Sequence, residues 1–435
     1  ISMSSSERDG DTLIVILEGV PIGRVERRGR GLRLTYDDHY LDDPHATTLS
    51  VSMSAPVRHH TDRVLTPWLW GLLPDNADVL GRWGREFGVS VASPFPLLAT
   101  QVGHDCAGAV QFCAPGEVDD LLARPGTVQP LSEAEIADRM RALRTDTTTW
   151  LGPEFTGRFS LAGAQAKTAL AFDEVHGWVQ PGGSAPTTHI LKPAVVGLDG
   201  HDLNEHLCLA AARRCGLVVA STRVEAFEDQ TAIVVERYDR HVVAGELTRI
   251  HQEDVCQALG IDPSRKYQSD GGPSPADIAG LLRSVLPADR ALHDIRRFVD
   301  ALAFNWIVAG TDAHAKNYSL LHAGHQTRLA PLYDVASALP YDGSGGHKLK
   351  LAMKLGREYR LLATDRVSAW RSLAAAVMLP DDEVAGRVVD LAAKVGAAFA
   401  DAAADPTILD LGSDLPERLL AAVTERADAC LRVMA

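Results

Sequence analysis

Alternation of apolar and polar positions marks 11–20 (DTLIVILEGV) and 31–36 (GLRLTY) as strands separated by a glycine-containing turn, an opening antiparallel unit. Residues 68–76 (WLWGLLPDN) lead into a short helix over 77–87, and QVGHDCAGAVQF, near 102–112, reads as a glycine-interrupted turn entering a strand. The stretch 132–144 opens with helix-start chemistry and carries Ile136, Met140 and Leu143 at helical spacing, which predicts a connector helix. From 159 to 238 the pattern runs strand, Gly/Ala loop, strand, turn, strand, helix and strand pair. Beyond about residue 274 the period becomes helical. Residues 291–308 place Leu292, Ile295, Val299, Leu302 and Trp306 on one stripe, and 374–404 and 416–434 are Ala/Leu-rich helices. No repeat of solenoid length is visible. A strand-rich part followed by a helical part predicts an α+β fold.

Composition narrows the field. With 435 residues, 46% apolar and 23% charged, the chain is an ordinary globular sequence of two or three domains. Forty-three Lys+Arg against 57 Asp+Glu leave a formal charge of −14, which argues against holding duplex DNA through its own phosphate contacts. The six cysteines form no C-x-x-C pair, which argues against a zinc ribbon or a disulfide framework and suits reduced thiols in a cytoplasm. The first residues contain no apolar signal-like stretch, and no run of about 18 apolar residues occurs, so neither secretion nor membrane spanning is expected. The 16 histidines show no metal-ligand spacing, and His59-His60 reads as surface.

The stretch 310–319 (GTDAHAKNYS) is the most informative chemically. Asp312 and Asn317 stand in the D-x-x-x-x-N spacing of a protein-kinase catalytic loop, where the Asp accepts a hydroxyl proton and the Asn holds magnesium. His314 and Lys316 are close enough to assist with phosphate charge. A polar loop closing a helix would have a similar composition. A hairpin with strands at 318–322 and 327–332 then delivers Tyr333 and Asp334, a second carboxylate in kinase order. Magnesium prefers oxygen ligands and retains waters, so one Asp, one Asn and phosphates suffice; Asp334 also suits a plain turn. Upstream, TTHILK ends at Lys192 as the V-A-I-K strand does, although a lysine at a strand end is commonly solvated. Glu205 is a candidate carboxylate for Lys192, or a first-turn charge complementing its helix dipole. In RFSLAGAQAKT (158–168) small residues would admit backbone N–H groups to phosphates, yet its single glycine equally suits a tight hairpin. AIVVERYD (232–239) reads either as an inter-lobe hinge, its backbone at Glu236 and Tyr238 facing adenine, or as an ordinary strand end.

In this order, FSLAGAQAKTAL, PTTHILKP, NEHLCLAAARRCGL, VVERYDR, HQEDVCQALG, KYQSDGG, GTDAHAKNYSLL and LAPLYDVASALP resemble the HipA family, the serine/threonine-kinase toxins of bacterial HipBA modules. GLLPDN and the QVGHDCAGAVQF region resemble that family's N-terminal subdomain, so the resemblance covers nearly the whole chain. It implies a bilobal protein-kinase-like fold: an N-terminal αβ subdomain (1–148), a kinase N-lobe with phosphate loop and hinge (149–240), and a helical C-lobe (241–435).

For the site, the resemblance implies Asp312 as catalytic base, Asn317 and Asp334 as Mg2+ ligands, and Lys192 as the phosphate-neutralising lysine. Ala162, Gly163, Ala164, Gln165, Ala166 and Lys167 would cover the phosphates of ATP. Glu236, Arg237 and Tyr238 would line the adenine, with His314, Ala315, Lys316, Asn317 and Tyr333 completing the pocket. Ser160 would be autophosphorylated, expelling the loop and silencing the kinase, and 194–202 falls at the activation loop. Ala166 departs from the family, whose members often carry Glu there. Implied partners are a HipB-like helix-turn-helix antitoxin, operator DNA only through it, and a protein substrate. In the family that substrate is an aminoacyl-tRNA synthetase, glutamyl-tRNA synthetase in the best-known case, and its modification inhibits translation and promotes dormancy. Two other readings remain: a corepressor acting with the antitoxin, and a small-molecule kinase. His251-Gln-Glu-Asp254 reads most simply as a helix-start cap.

Overall fold

The computed structural model describes residues 11–29, 31–123, 126–152, 159–183, 185–243 and 246–435. The first ten residues and Arg158 lie outside the described residues. The opening unit is a meander, because Val20–Arg28 forms a strand between Thr12–Leu17 and Gly31–Tyr36. Pro21 and Gly23 disguise that strand in the sequence. Its hairpin is closed by Glu18 and Gly19, both at positive φ (52° and 79°). His59–Thr61 and Val110–Cys113 complete a five-stranded antiparallel sheet.

A second, six-stranded sheet has the order Thr222–Phe227, Gln230–Glu236, His189–Pro193, Thr168–Asp173, Gly177–Gly182, Thr127–Pro130. Its edge strand Thr127–Pro130 and the following helix Glu133–Thr145 precede the expected lobe boundary at 148–149, yet the helix packs on three strands of this sheet. Structurally, the second sheet begins near residue 127. The helix starts as expected: Ser132 Oγ accepts from Glu135 N at 3.3 Å, and Glu135 accepts from Ser132 N at 2.8 Å.

The C-terminal lobe is helical. In Ala288–Ile307, Ile295, Val299, Leu302 and Trp306 are buried, while Leu292, expected on the same stripe, is 37% exposed. The helix expected over 374–404 is broken into Val367–Ala376 and Asp381–Ala403. Met378 takes φ +50° between them and Pro380, which has no N–H to continue a ladder, caps the second. One apolar core joins both sheets, and another joins the C-terminal helices to His201–Arg214.

The strand His251–Asp254 ties the N-terminal subdomain to the helical lobe. Asp254 is a cap, its Oδ1 accepting from Gln257 N at 2.9 Å. The other members do more. Leu49 O lies 2.7 Å from His251 Nε2, and Glu253 accepts from Ser50 Oγ (2.6 Å) and Val51 N (2.8 Å). All six cysteines are buried and unpaired. Among the described residues, no helix is long and apolar enough to cross a membrane.

Candidate functional site

Lys192 is the penultimate residue of the strand His189–Pro193, Glu205 lies in the first half of the helix His201–Arg214, and Asp334 follows the second hairpin strand. The fold brings them together: Lys192 Nζ donates to Glu205 Oε1 at 2.8 Å and to Asp334 Oδ1 at 2.7 Å. Burial alone would push the Lys192 ammonium down; the two carboxylates outweigh it and hold it above its ordinary range. Asp334 would likewise be raised by burial, but Lys192 and Lys167 hold it well below the usual carboxylate range. Its φ of +58° is a strained conformation for a residue other than glycine, of the kind that structures retain at functional sites.

Asp312 closes the turn after Ala288–Ile307. The Tyr267 hydroxyl donates to its Oδ1, and His314 Nε2 lies 4.0 Å from its Oδ2. Desolvation lifts the Asp312 carboxyl above its ordinary value, but with 65% of the side chain open to water, screening keeps that lift small. Asn317 Nδ2 donates to Asp312 O at 2.8 Å, which orients the amide and leaves Oδ1 for a ligand. Tyr333 Oη donates to Lys316 O at 2.6 Å and lies 2.7 Å from Ser319 Oγ, and its ring lies 5.7 Å from that of Tyr238. Lys316, expected to face phosphate, instead gives its ammonium to Asp75 and is 3% exposed.

Burial, reinforced by Lys266, lowers His314 to about 4, and burial with His322 lowers His251 to about 4. The folded chain therefore refuses protons that the unfolded chain binds. This stability is complete above about pH 6.5 and is lost as pH falls through 4, on the order of 2 kcal/mol per ring at pH 5. Asp254, pushed by burial up to about 6, opposes part of the loss. The urea midpoint should be lower at pH 5 than at pH 7.5; a midpoint that holds steady or rises would show that these rings titrate freely.

The 162–167 loop is anchored from both sides. Lys167 Nζ donates to Ala162 O at 2.7 Å, lies 5.0 Å from the Trp150 ring centroid, and is pushed by burial and Lys192 down to about 8. Gly163 holds φ +105°, and a Cβ there would stand 2.6 Å from Lys167 Nζ. Ala164 is exposed, while Ala166 packs half-buried against the N-terminal core. Ser160 is fully buried, its Oγ donating to Leu72 O at 2.8 Å.

At the end of the strand Gln230–Glu236, Glu236 is exposed and its N–H is engaged by Ser221 O at 2.9 Å. The Tyr238 hydroxyl donates to Gln252 Oε1. Arg237 departs from the adenine-lining expectation: its guanidinium is buried among Asp105, Asp239, Thr187 Oγ1 and Cys106 O. Arg240 joins the same network through Asp105 at 2.8 Å. These four charges pin the QVGHDCAGAVQF segment to residues 237–240, a role that sequence reasoning missed. It also missed Asp75, Lys266 and Tyr267, although GLLPDN and KYQSDGG carried the signal.

The arrangement fits a phosphorylated nucleotide with a divalent cation. Asn317 Oδ1 and the Asp334 carboxylate are hard oxygen donors beside Lys192 and Lys167. Gln165 Nε2 and His314 Nδ1 are buried without a partner. Among the described residues no cluster of three His, Cys, Asp or Glu side chains could hold a metal, so such a cation would depend on phosphate oxygens too.

Comparison with known proteins agrees with this geometry. A family model for the HipA-like C-terminal domain matches residues 159–399, and one for the HipA N-terminal domain matches 13–113. The Sinorhizobium fredii protein named "Putative kinase Y4mE" is 36% identical over 370 residues, 83% of this chain and 85% of that one. The serine/threonine-protein kinase toxin HipA of Shewanella oneidensis is 28% identical over 341 residues, 75% of this chain and 74% of its own. The fold superposes, with a TM-score of 0.79 and 25% identity, on a chain from the Shewanella oneidensis complex of HipA, HipB and operator DNA, covering 97% of this chain and 99% of that one. Since both family models match in chain order and the first spans most of the two lobes around Lys192 and Asp312, the protein belongs to the HipA family.

Proposed function

We propose that this protein is an ATP- and Mg2+-dependent serine/threonine-protein kinase, the toxin of a toxin–antitoxin pair. The observation that carries the reading is the Lys192–Glu205–Asp334 cluster facing the loop of Asp312 and Asn317, five side chains drawn from four separate stretches of the chain. Phosphoryl transfer asks mostly for positioning and charge neutralisation. Asp312 is the base that takes the acceptor hydroxyl's proton, its orientation set by the Tyr267 hydroxyl. Lys192 neutralises phosphate charge, with Glu205 fixing its ammonium. Asn317 and Asp334 would hold the magnesium ion, which would supply positive charge to the phosphates. Residues 162–167 cover the phosphates, and the backbone at Glu236 and Tyr238 meets the adenine.

The acceptor is a protein hydroxyl, with an aminoacyl-tRNA synthetase, glutamyl-tRNA synthetase foremost, as the substrate class in keeping with the family. Its modification would stall translation and favour dormancy. A HipB-like antitoxin is the partner, and operator DNA is reached through it, since a charge of −14 disfavours direct binding. Phosphoproteomics of a cytoplasmic lysate treated with this protein, with the Asp312→Asn variant as the blank, tests the reading. New phosphoserine or phosphothreonine on a defined protein supports it; consumption of ATP with no protein product would favour a small-molecule kinase.

Ser160 is the proposed site of self-silencing. Its hydroxyl is buried against Leu72 O, so the loop must leave that position before Ser160 can be modified. A phosphate carries about −1.5 to −2 charges and cannot return to that pocket. After incubation with MgATP, intact mass and peptide mapping should place one phosphate on Ser160, and the modified protein should lose ATP affinity. Ser160→Ala should never accumulate that form. A phosphate mapped elsewhere, or unchanged ATP affinity, would remove the mechanism.

A further inference from the structure

Residues 72–76 of the N-terminal subdomain lie between the two loops that frame the site. Their backbone holds the phosphate loop: Leu72 O accepts from Ser160, Asp75 N donates to Gly163 O at 3.0 Å, and Pro74 and Gly163 form an isolated bridge. The Asp75 side chain holds the catalytic loop. Its Oδ2 accepts from Lys266 Nζ at 2.8 Å and its Oδ1 accepts from Lys316 Nζ. Lys316 stands between Asp312 and Asn317. Lys266 precedes the Tyr267 that orients Asp312, and its carbonyl accepts from Ala315 N at 3.2 Å. The three charged side chains are 11%, 15% and 3% exposed for Asp75, Lys266 and Lys316.

We infer that Asp75 is a positioning residue for phosphoryl transfer: one residue from outside the two kinase-like lobes fixes the loop that carries the base through its carboxylate and meets the loop that covers the phosphates through its main-chain N–H. The inference rests on the kinase reading. Its physical basis is charge. Without the carboxylate, two buried ammonium groups lose their shared counter-ion, and each can recover solvation only by moving outward. Lys316 directly precedes Asn317, so any main-chain shift that lets its ammonium out carries Asn317 and its bond to the Asp312 carbonyl with it. A displacement of about 1 Å at reacting groups costs on the order of a hundredfold in rate.

A second contact between the subdomain and the helical lobe provides the control. Glu253 ties Ser50 and Val51 to that lobe but is bonded to neither of these loops. Steady-state transfer from MgATP into lysate protein and into the chain itself is measured for wild type, Asp75→Asn and Glu253→Gln, alongside hydrogen exchange of the free proteins. Asp75→Asn should lower kcat at least about tenfold per folded molecule, raise the KM for ATP, and speed exchange at Ala315, whose N–H donates to Lys266 O. Glu253→Gln should lower the melting temperature while kcat per folded molecule holds. Wild-type protein without transfer overturns the kinase reading, and exchange then still tests the placement. Active wild type with full kcat in Asp75→Asn, or an equal loss in Glu253→Gln, overturns the role of Asp75.

Discussion

Asp312→Asn should fold, bind ATP, and lose at least about a hundredfold of its phosphoryl transfer. The substitution preserves shape and leaves Asn317 in place, because Asn317 Nδ2 is held by the main-chain carbonyl of Asp312 and not by its carboxylate. The Tyr267 hydroxyl retains an oxygen acceptor. Only the proton acceptor is removed, so the loss should fall on kcat, with the KM for ATP nearly unchanged. Single-turnover transfer and ATP titration on one preparation check this; near wild-type turnover would sink the assignment of Asp312.

The second large effect is expected at Lys192→Met. Glu205 is 1% exposed, and its carboxyl is already raised by burial against the pull of Lys192. Removing the ammonium leaves that carboxylate without a counter-charge and should cost about 3–5 kcal/mol of stability. The sign of the pH dependence follows. With its folded value raised further above the unfolded one, Glu205 binds a proton more readily folded than unfolded, so the deficit is greatest at neutral pH and shrinks on acidification. Turnover should be lost as well, since the ammonium bonded to Asp334 is gone and Lys167, tied to Ala162 O, does not take its place. Adding Glu205→Gln should restore much of the stability and none of the turnover. A single variant as stable as wild type, or an active double variant, would contradict this account.

These effects rest on contacts of different legibility. The sequence by itself determined what is local. The D-x-x-x-x-N spacing lies within one turn-rich loop, so Asp312 and Asn317 were bound to share a site once that loop formed. Helix periods located Ala288–Ile307, and local hydrogen bonding located the Ser132 and Asp254 caps. Where local signals conflict they misled, as at Val20–Arg28, where Pro21 and Gly23 mask a strand that its neighbours complete.

Tertiary structure decided which charges meet. A lysine at the end of a strand reads as solvated until the fold supplies Glu205 from 13 residues away and Asp334 from 142. Asp75 lies 241 residues from Lys316, and Asp105 lies 132 from Arg237. Neither spacing nor composition specifies such pairs, because an ammonium or guanidinium on a flexible stem accepts any carboxylate the fold presents. Burial then separates these pairs from ordinary surface ions: in water the contacts would contribute little, whereas in the interior an unpaired charge is costly. That is why Lys316 and Arg237, expected from sequence to meet the nucleotide, instead hold the site's framework together.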